Sequence, residues 1–209
     1  MMRDLIAAFG TAARERMTDA GWRKHTSDIY TLDLGGGFHA WVGLNRASKH
    51  HPLMVNPVVG LRYDPLERLV EDLLGTRLGM AATIARPVGC LTSRHSLLQL
   101  RVATDDDARP AAEELRHLVQ THGLPFARRH ASPAALMTAL REGGNVPNPD
   151  RARLLVPALH ALQGEAEPAR ASLARGLAHY GDDTTSPITA GYHQFAAALT
   201  ALLDEQARP

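Results

Sequence analysis

Cysteine is nearly missing from this chain: Cys90 stands alone, so no internal disulfide can form. Lysine is almost as scarce, with Lys24 and Lys49 against 21 arginines, a coding bias of the kind found in high-GC bacteria. No stretch approaches the roughly 18 consecutive apolar residues of a membrane span. The opening MMRDLIAAFG has neither a long apolar core nor a small-residue cleavage site. A cytoplasmic protein with no membrane partner is therefore expected. An excess of one charge is lacking too: 23 Lys plus Arg face 22 Asp plus Glu. The balance is 13 against 10 in residues 1–105 and 10 against 12 in residues 106–209. Binding by phosphate neutralisation normally shows as a basic domain or stripe, so no nucleic-acid partner is expected.

What is present suits a globular fold. The chain has 209 residues, 44% of them apolar, enough for a full core in one domain or two small ones. Leu5, Phe9, Ala13 and Met17 recur every four residues and predict an amphipathic first helix. Gly21 ends it, and Trp22 falls where a closing contact to Met17 belongs. From residue 28 the period becomes two. Tyr30, Leu32 and Leu34 alternate with more polar neighbours, Gly35 to Gly37 give a reversal, and Phe38, Ala40, Val42 and Leu44 alternate with His39, Trp41 and Gly43. This spacing predicts a hairpin. A third strand with Val55, Val59, Leu61 and Tyr63 on one side follows, and Pro57 places it at an edge or a bulge.

Asp64-Pro65-Leu66-Glu67 reads as a helix start, with a carboxylate at the cap, proline at the first position and Glu67 reaching back to the cap. Leu66, Leu69, Val70, Leu73 and Leu74 form its apolar face, and Gly75 closes it. Residues 76–92 are ambiguous, and Leu98, Leu100 and Val102 predict a last strand. Beyond Asp105 the pattern is helical. A first helix ends at Gly123, Ser132-Pro133 opens one stopped by Gly143-Gly144, Asn148-Pro149 opens a third, Glu165 to Tyr180 makes a fourth, and Ser186-Pro187 opens a fifth. The fold class expected is α+β: an N-terminal helix, a mainly antiparallel sheet of four or five strands, and a C-terminal region of about five helices. The division expected is a sheet domain over 1–105 and a helical region over 106–209, packed on the sheet or following it, with a hinge at 145–150. Leu154 to Leu177 is spaced like one helical hairpin of a tetratricopeptide array, but a single copy reads as an ordinary hairpin.

Reactive chemistry is hard to assemble from these residues. Eleven histidines invite a metal site, yet no pair sits three or four apart beside a carboxylate motif. Only convergence of His25, His39, His50 and His51 with Asp28 or Asp33 would hold an ion. After Cys90 the first basic residues are Arg94 and His95, and a Cys90–His95 couple is a weaker reading than a small buried thiol. The glycine run 35–37 precedes a strand and lacks a phosphate-loop pattern. No catalytic set, cofactor or metal is therefore expected. His39 and Trp41 share the hairpin face opposite Phe38 and Ala40, where they are either a contact surface or, as the layer argument favours, core beneath the C-terminal helices. His50 and His51 lie in the turn that follows.

The order of amphipathic helix, GWRKHTSDIYTLDLGGGFHAWVGL and MVNPVVGLRYDPLERLVEDLLG resembles small bacterial domains of unknown function, some of which sit near toxin-immunity loci. The resemblance covers about residues 5–75 and implies a non-catalytic, partner-binding protein of immunity or accessory type. It supplies no catalytic residue. The expected function is thus protein binding through a surface near His39, Trp41, His50 and His51. The alternative is a small-molecule enzyme or binding protein with a pocket between sheet and helices, where His39, Arg62, Tyr63 and His95 converge. A basic stripe of Arg128, Arg129, Arg151 and Arg153 would be needed for nucleic-acid regulation.

Overall fold

Leu5, Phe9, Ala13 and Met17 are all buried along α1 (Met2–Asp19), as the four-residue spacing requires. The helix closes in a Schellman turn: the Gly21 amide donates to Thr18 and the Trp22 amide to Met17, with Gly21 at φ 84° and Trp22 2% exposed. The computed structural model describes residues 2–93, 95–143 and 149–208. An α+β fold follows, in which the chain forms two compact units, 1–62 with 84–131 and 63–83 with 132–209. No described helix is long and apolar enough to cross a membrane.

The first unit is built on one antiparallel sheet. Strands β1 (Arg23–Lys24), β2 (Ile29–Gly35), β3 (Phe38–Ala47) and β4 (Leu53–Tyr63, of which Tyr63 belongs to the other unit) lie side by side in sequence order. The hairpin register sets Tyr30 opposite Val42 and Asp33 opposite His39, with an irregularity at Asp33–Gly35 before the glycine turn. Pro57 is not on an edge strand. β5 (Ile84–Pro87) pairs with residues 58–61 of β4 and β6 (Leu100–Val102) with residues 53–55, so Pro57 falls where neither takes a partner and its missing N–H is tolerated. Helix α1 packs on α3 (Ala108–Leu118), which also meets β6. The acidic run 105–107 forms a short 3₁₀ turn in which Thr104 and Asp107 cap each other; two backbone amides hold the Asp107 carboxyl below its ordinary range.

Gly123 does not end a helix, as its residue type suggests. The backbone stays helical through a π-turn at 119–123 into α4 (Leu124–His130). Gly123 serves close approach: a Cβ there would lie 2.7 Å from Val59 Cγ1 of β4.

The second unit gathers α2 (Asp64–Leu74) with α5 (Pro133–Glu142), α6 (Pro149–Leu162), α7 (Ala166–Tyr180) and α8 (Pro187–Gln206). α2 packs on α6 and α8, and α6 and α7 form a helical hairpin against α8. The expected hinge at 145–150 lies, for residues 145–148, outside the described residues; residues 149–150 are in α6. The helix cap is Tyr63 and not Asp64, so Pro65 takes the second helical position and Glu67 falls one place beyond that of a capping box. The Tyr63 amide is taken by Thr83 Oγ1 at 3.0 Å, and Thr83 donates in turn to Glu67 Oε1 at 2.7 Å. With no cap N–H to reach for, the fully buried Glu67 carboxylate faces inward and pairs with Arg151 of α6.

Pro157 lies inside α6 and cannot donate to the carbonyl of Arg153, four residues back. The Tyr192 hydroxyl of α8 takes that carbonyl at 3.5 Å. Space for it comes from Gly176 of α7, where a Cβ would stand 1.8 Å from the Tyr192 oxygen.

Candidate functional site

Ala7, Gly10 and Arg14 recur every three or four residues on α1 and so share one face. A Cβ at Gly10 would meet nothing within 4 Å, so the helix wall is open there. Opposite this face the chain turns from β1 into β2. His25 anchors the turn, its amide donating to Ile29 O at 2.9 Å and its Nε2 lying 2.7 Å from Thr31 Oγ1. Asp28 follows, its carbonyl accepting from the Leu44 amide at 2.9 Å. Arg46, near the end of β3, pairs with the Asp28 carboxylate and donates to Ser27 O at 3.4 Å. Between helix and turn lies a cleft of about 650 Å³ whose charged lining is Arg14, Lys24, Arg46 and Asp28, with Thr11, Ser27 and Ser48 as hydroxyl donors. Three cations thus meet one carboxylate, itself engaged by Arg46.

Tyr30 of β2 is 0% exposed and its hydroxyl has no hydrogen-bond partner among the described residues. Burial raises the phenol above its ordinary range, while Arg46 and Arg14 pull it down and Asp28 adds to the rise. A buried O–H without a partner costs stability.

Arg46 and Ser48 also border a shelf formed by the β3–β4 connection, about 580 Å³, with Lys49, His50, His51 and Met54. His51 Nε2 lies 2.9 Å from Ala103 O; a carbonyl only accepts, so that nitrogen carries the proton. Both lysines of the chain, Lys24 and Lys49, border this continuous basic region.

The remaining residues singled out from sequence are divided among β3, β4 and the segment after residue 91. His39 is part-exposed on β3, Nδ1 3.9 Å from Asp33 Oδ1 across the hairpin. Trp41 is not core. It is half-buried with its ring over Gly43, where a Cβ would stand 2.2 Å from the indole, so its own strand covers it. Arg62 is buried at the end of β4, and Tyr63 opens the second unit. His95 is exposed at φ 46°, its Nδ1 donating to the Cys90 backbone carbonyl at 3.1 Å, a contact with the backbone and not the thiol. Of the seven, His50 and His51 fall in the basic region.

Sequence reasoning missed Arg14, Lys24 and Arg46. The available signal was the position of both lysines at the two ends of the hairpin, one just before β2 and one just after β3. Among the described residues no group of three His, Cys, Asp or Glu side chains gathers where a metal ion would sit. The cleft offers recognition chemistry: cations and hydroxyls suited to a carboxylate or another oxyanion. Comparison with family models, with curated proteins and with solved structures finds no match to this chain.

Proposed function

We propose that this chain is a non-catalytic protein-binding protein of bacterial immunity or accessory type, which takes an acidic segment of its partner at the α1–hairpin cleft. The observation that carries the reading is the gathering of Arg14, Lys24 and Arg46 in one cleft that a single carboxylate, Asp28, lines with them. The cleft continues into the Lys49–His51 shelf, so an extended acidic strand or loop can run along both. A duplex is a poorer fit, because the whole chain carries a formal net charge of only +1.

The test is fluorescence anisotropy with a labelled Asp/Glu-rich peptide and, separately, a labelled DNA duplex of equal charge. Saturable peptide binding that weakens with salt is expected, and Arg14→Ala with Lys24→Ala should weaken it about tenfold or more. Both side chains are exposed, so the double variant keeps its fold. No peptide binding, or tighter binding of the duplex, overturns the reading. A small-molecule carboxylate as ligand is the second reading, favoured by a cleft volume in the range of ligand sites; it predicts that a free dicarboxylate competes fully with the peptide.

A further inference from the structure

A second concavity, of about 410 Å³, lies wholly within the second unit. Its floor is apolar, made by Leu140 of α5 with Val156 and Pro157 of α6. Its polar lining is Arg141, Arg153, Arg175 and Ser172, and no carboxylate lines it among the described residues. Arg153 is paired with Asp150, whereas Arg141 and Arg175 meet no carboxylate among the described residues, and an anion seated between them lowers their mutual repulsion.

Each guanidinium bonds a neighbouring side chain. Arg141 Nη2 donates to His160 Nε2 at 3.0 Å, which makes that nitrogen the acceptor and places the ring proton on Nδ1, where it donates to Glu165 Oε2 at 2.5 Å. His160 is 4% exposed, so this relay is fixed by burial. Arg153 Nη1 donates to Asp150 Oδ1 at 2.9 Å, and its guanidinium lies 5.7 Å from the centroid of the Tyr180 ring. Arg175 Nη2 donates to Ser172 Oγ at 2.8 Å. Each contact occupies one nitrogen and orients the others. Three pre-set forks suit the several oxygens of a tetrahedral oxyanion better than a lone carboxylate.

We propose that the α5–α6–α7 cleft binds the phosphoryl group of a small organic phosphate, with Arg141, Arg153 and Arg175 clamping the oxygens and the Leu140–Val156 floor covering part of the organic body. The volume suits a compact monophosphate. This site is separate from the cleft of the first unit, and neither reading depends on the other.

Titration calorimetry on the full chain tests it with phenyl phosphate, inorganic phosphate and benzoate as probes. Phenyl phosphate is expected to bind saturably at one site, about tenfold or more tighter than inorganic phosphate, because its ring covers the apolar floor. Benzoate should bind much more weakly. Arg175→Ala should weaken phenyl phosphate about tenfold or more, whereas Arg170→Ala, on the same helix but paired with Asp204, should leave it unchanged. Arg175→Lys keeps the charge without the fork and should fall between; it also serves should the alanine variant fail to fold. No saturable heat from phenyl phosphate, equal affinity for benzoate, or indifference to both Arg175 substitutions overturns the proposal.

Discussion

Tyr192 shows how one side chain can tie three helices together. Burial pushes its phenol up to about 12, with neighbouring Tyr180 adding to the rise. Tyr180 itself is raised by burial and by its 2.9 Å bond to Asp150, and Tyr30 is raised by burial. In the unfolded chain all of these phenols ionise near 10. The neutral native phenols therefore add stability that is complete below pH 10 and is lost as pH climbs through about 12, where the unfolded state has already released its protons. Absorbance titration at alkaline pH should show Tyr30, Tyr180 and Tyr192 ionising late, and in step with alkaline unfolding. Gly176→Ala pushes a methyl into the Tyr192 ring, which is 3% exposed and has little room to move. A loss of about 1–3 kcal/mol in urea unfolding is expected, with part recovered by Tyr192→Phe, since the nearest clash is with the hydroxyl oxygen. At Tyr30 the sign is opposite: Tyr30→Phe removes a buried polar atom without a partner and should raise stability by about 1 kcal/mol.

Elements differ in how openly the sequence declares them. The stripe of α1 and its Schellman end are local facts, legible because helix period and glycine conformation act over a few residues. The hairpin was legible for the same reason. The role of Glu67 was not, because a capping box and an inward carboxylate share one sequence, and the choice is made by Thr83 and Arg151, distant in the chain. Gly123 misled likewise: whether a glycine stops a helix or lets it touch a strand depends on Val59. The cleft cations come from α1, β1 and β3, whose facing is set by tertiary packing, so sequence spacing cannot announce them. At this scale the Glu67 pair gives a sharp expectation. Arg151→Ala leaves a carboxylate of 0% exposure without its cation and should cost about 3–5 kcal/mol. Arg151→Ala with Glu67→Gln should cost less than Arg151→Ala alone, a difference that a double-mutant cycle in urea measures.

For the whole molecule, the discontinuous units mean that cutting after residue 131 cannot yield a clean fragment. Residues 1–131 contain the first unit complete but carry α2 without α5–α8, leaving the apolar face of Leu66 and Val70 uncovered. Such a fragment should bind a hydrophobic dye and aggregate. Replacing 63–83 with a short Gly/Ser linker should restore a soluble, cooperatively unfolding first unit, as domain insertions at compact boundaries allow. Failure of the linker variant to unfold cooperatively would show that the first unit depends on residues outside it.

The same interleaving has a consequence for birth on the ribosome. The α2 segment ends at Leu74 and α6, against which it rests, begins at Pro149, about 75 residues later. At ordinary elongation rates its oily side waits roughly 4–15 seconds for that cover. Meanwhile β5 and β6 can already join the nascent sheet, so the emerging polypeptide passes through an interval in which one half is mature and one helix is orphaned. A chaperone that recognises short apolar helices would find its target in that interval and lose it when translation ends.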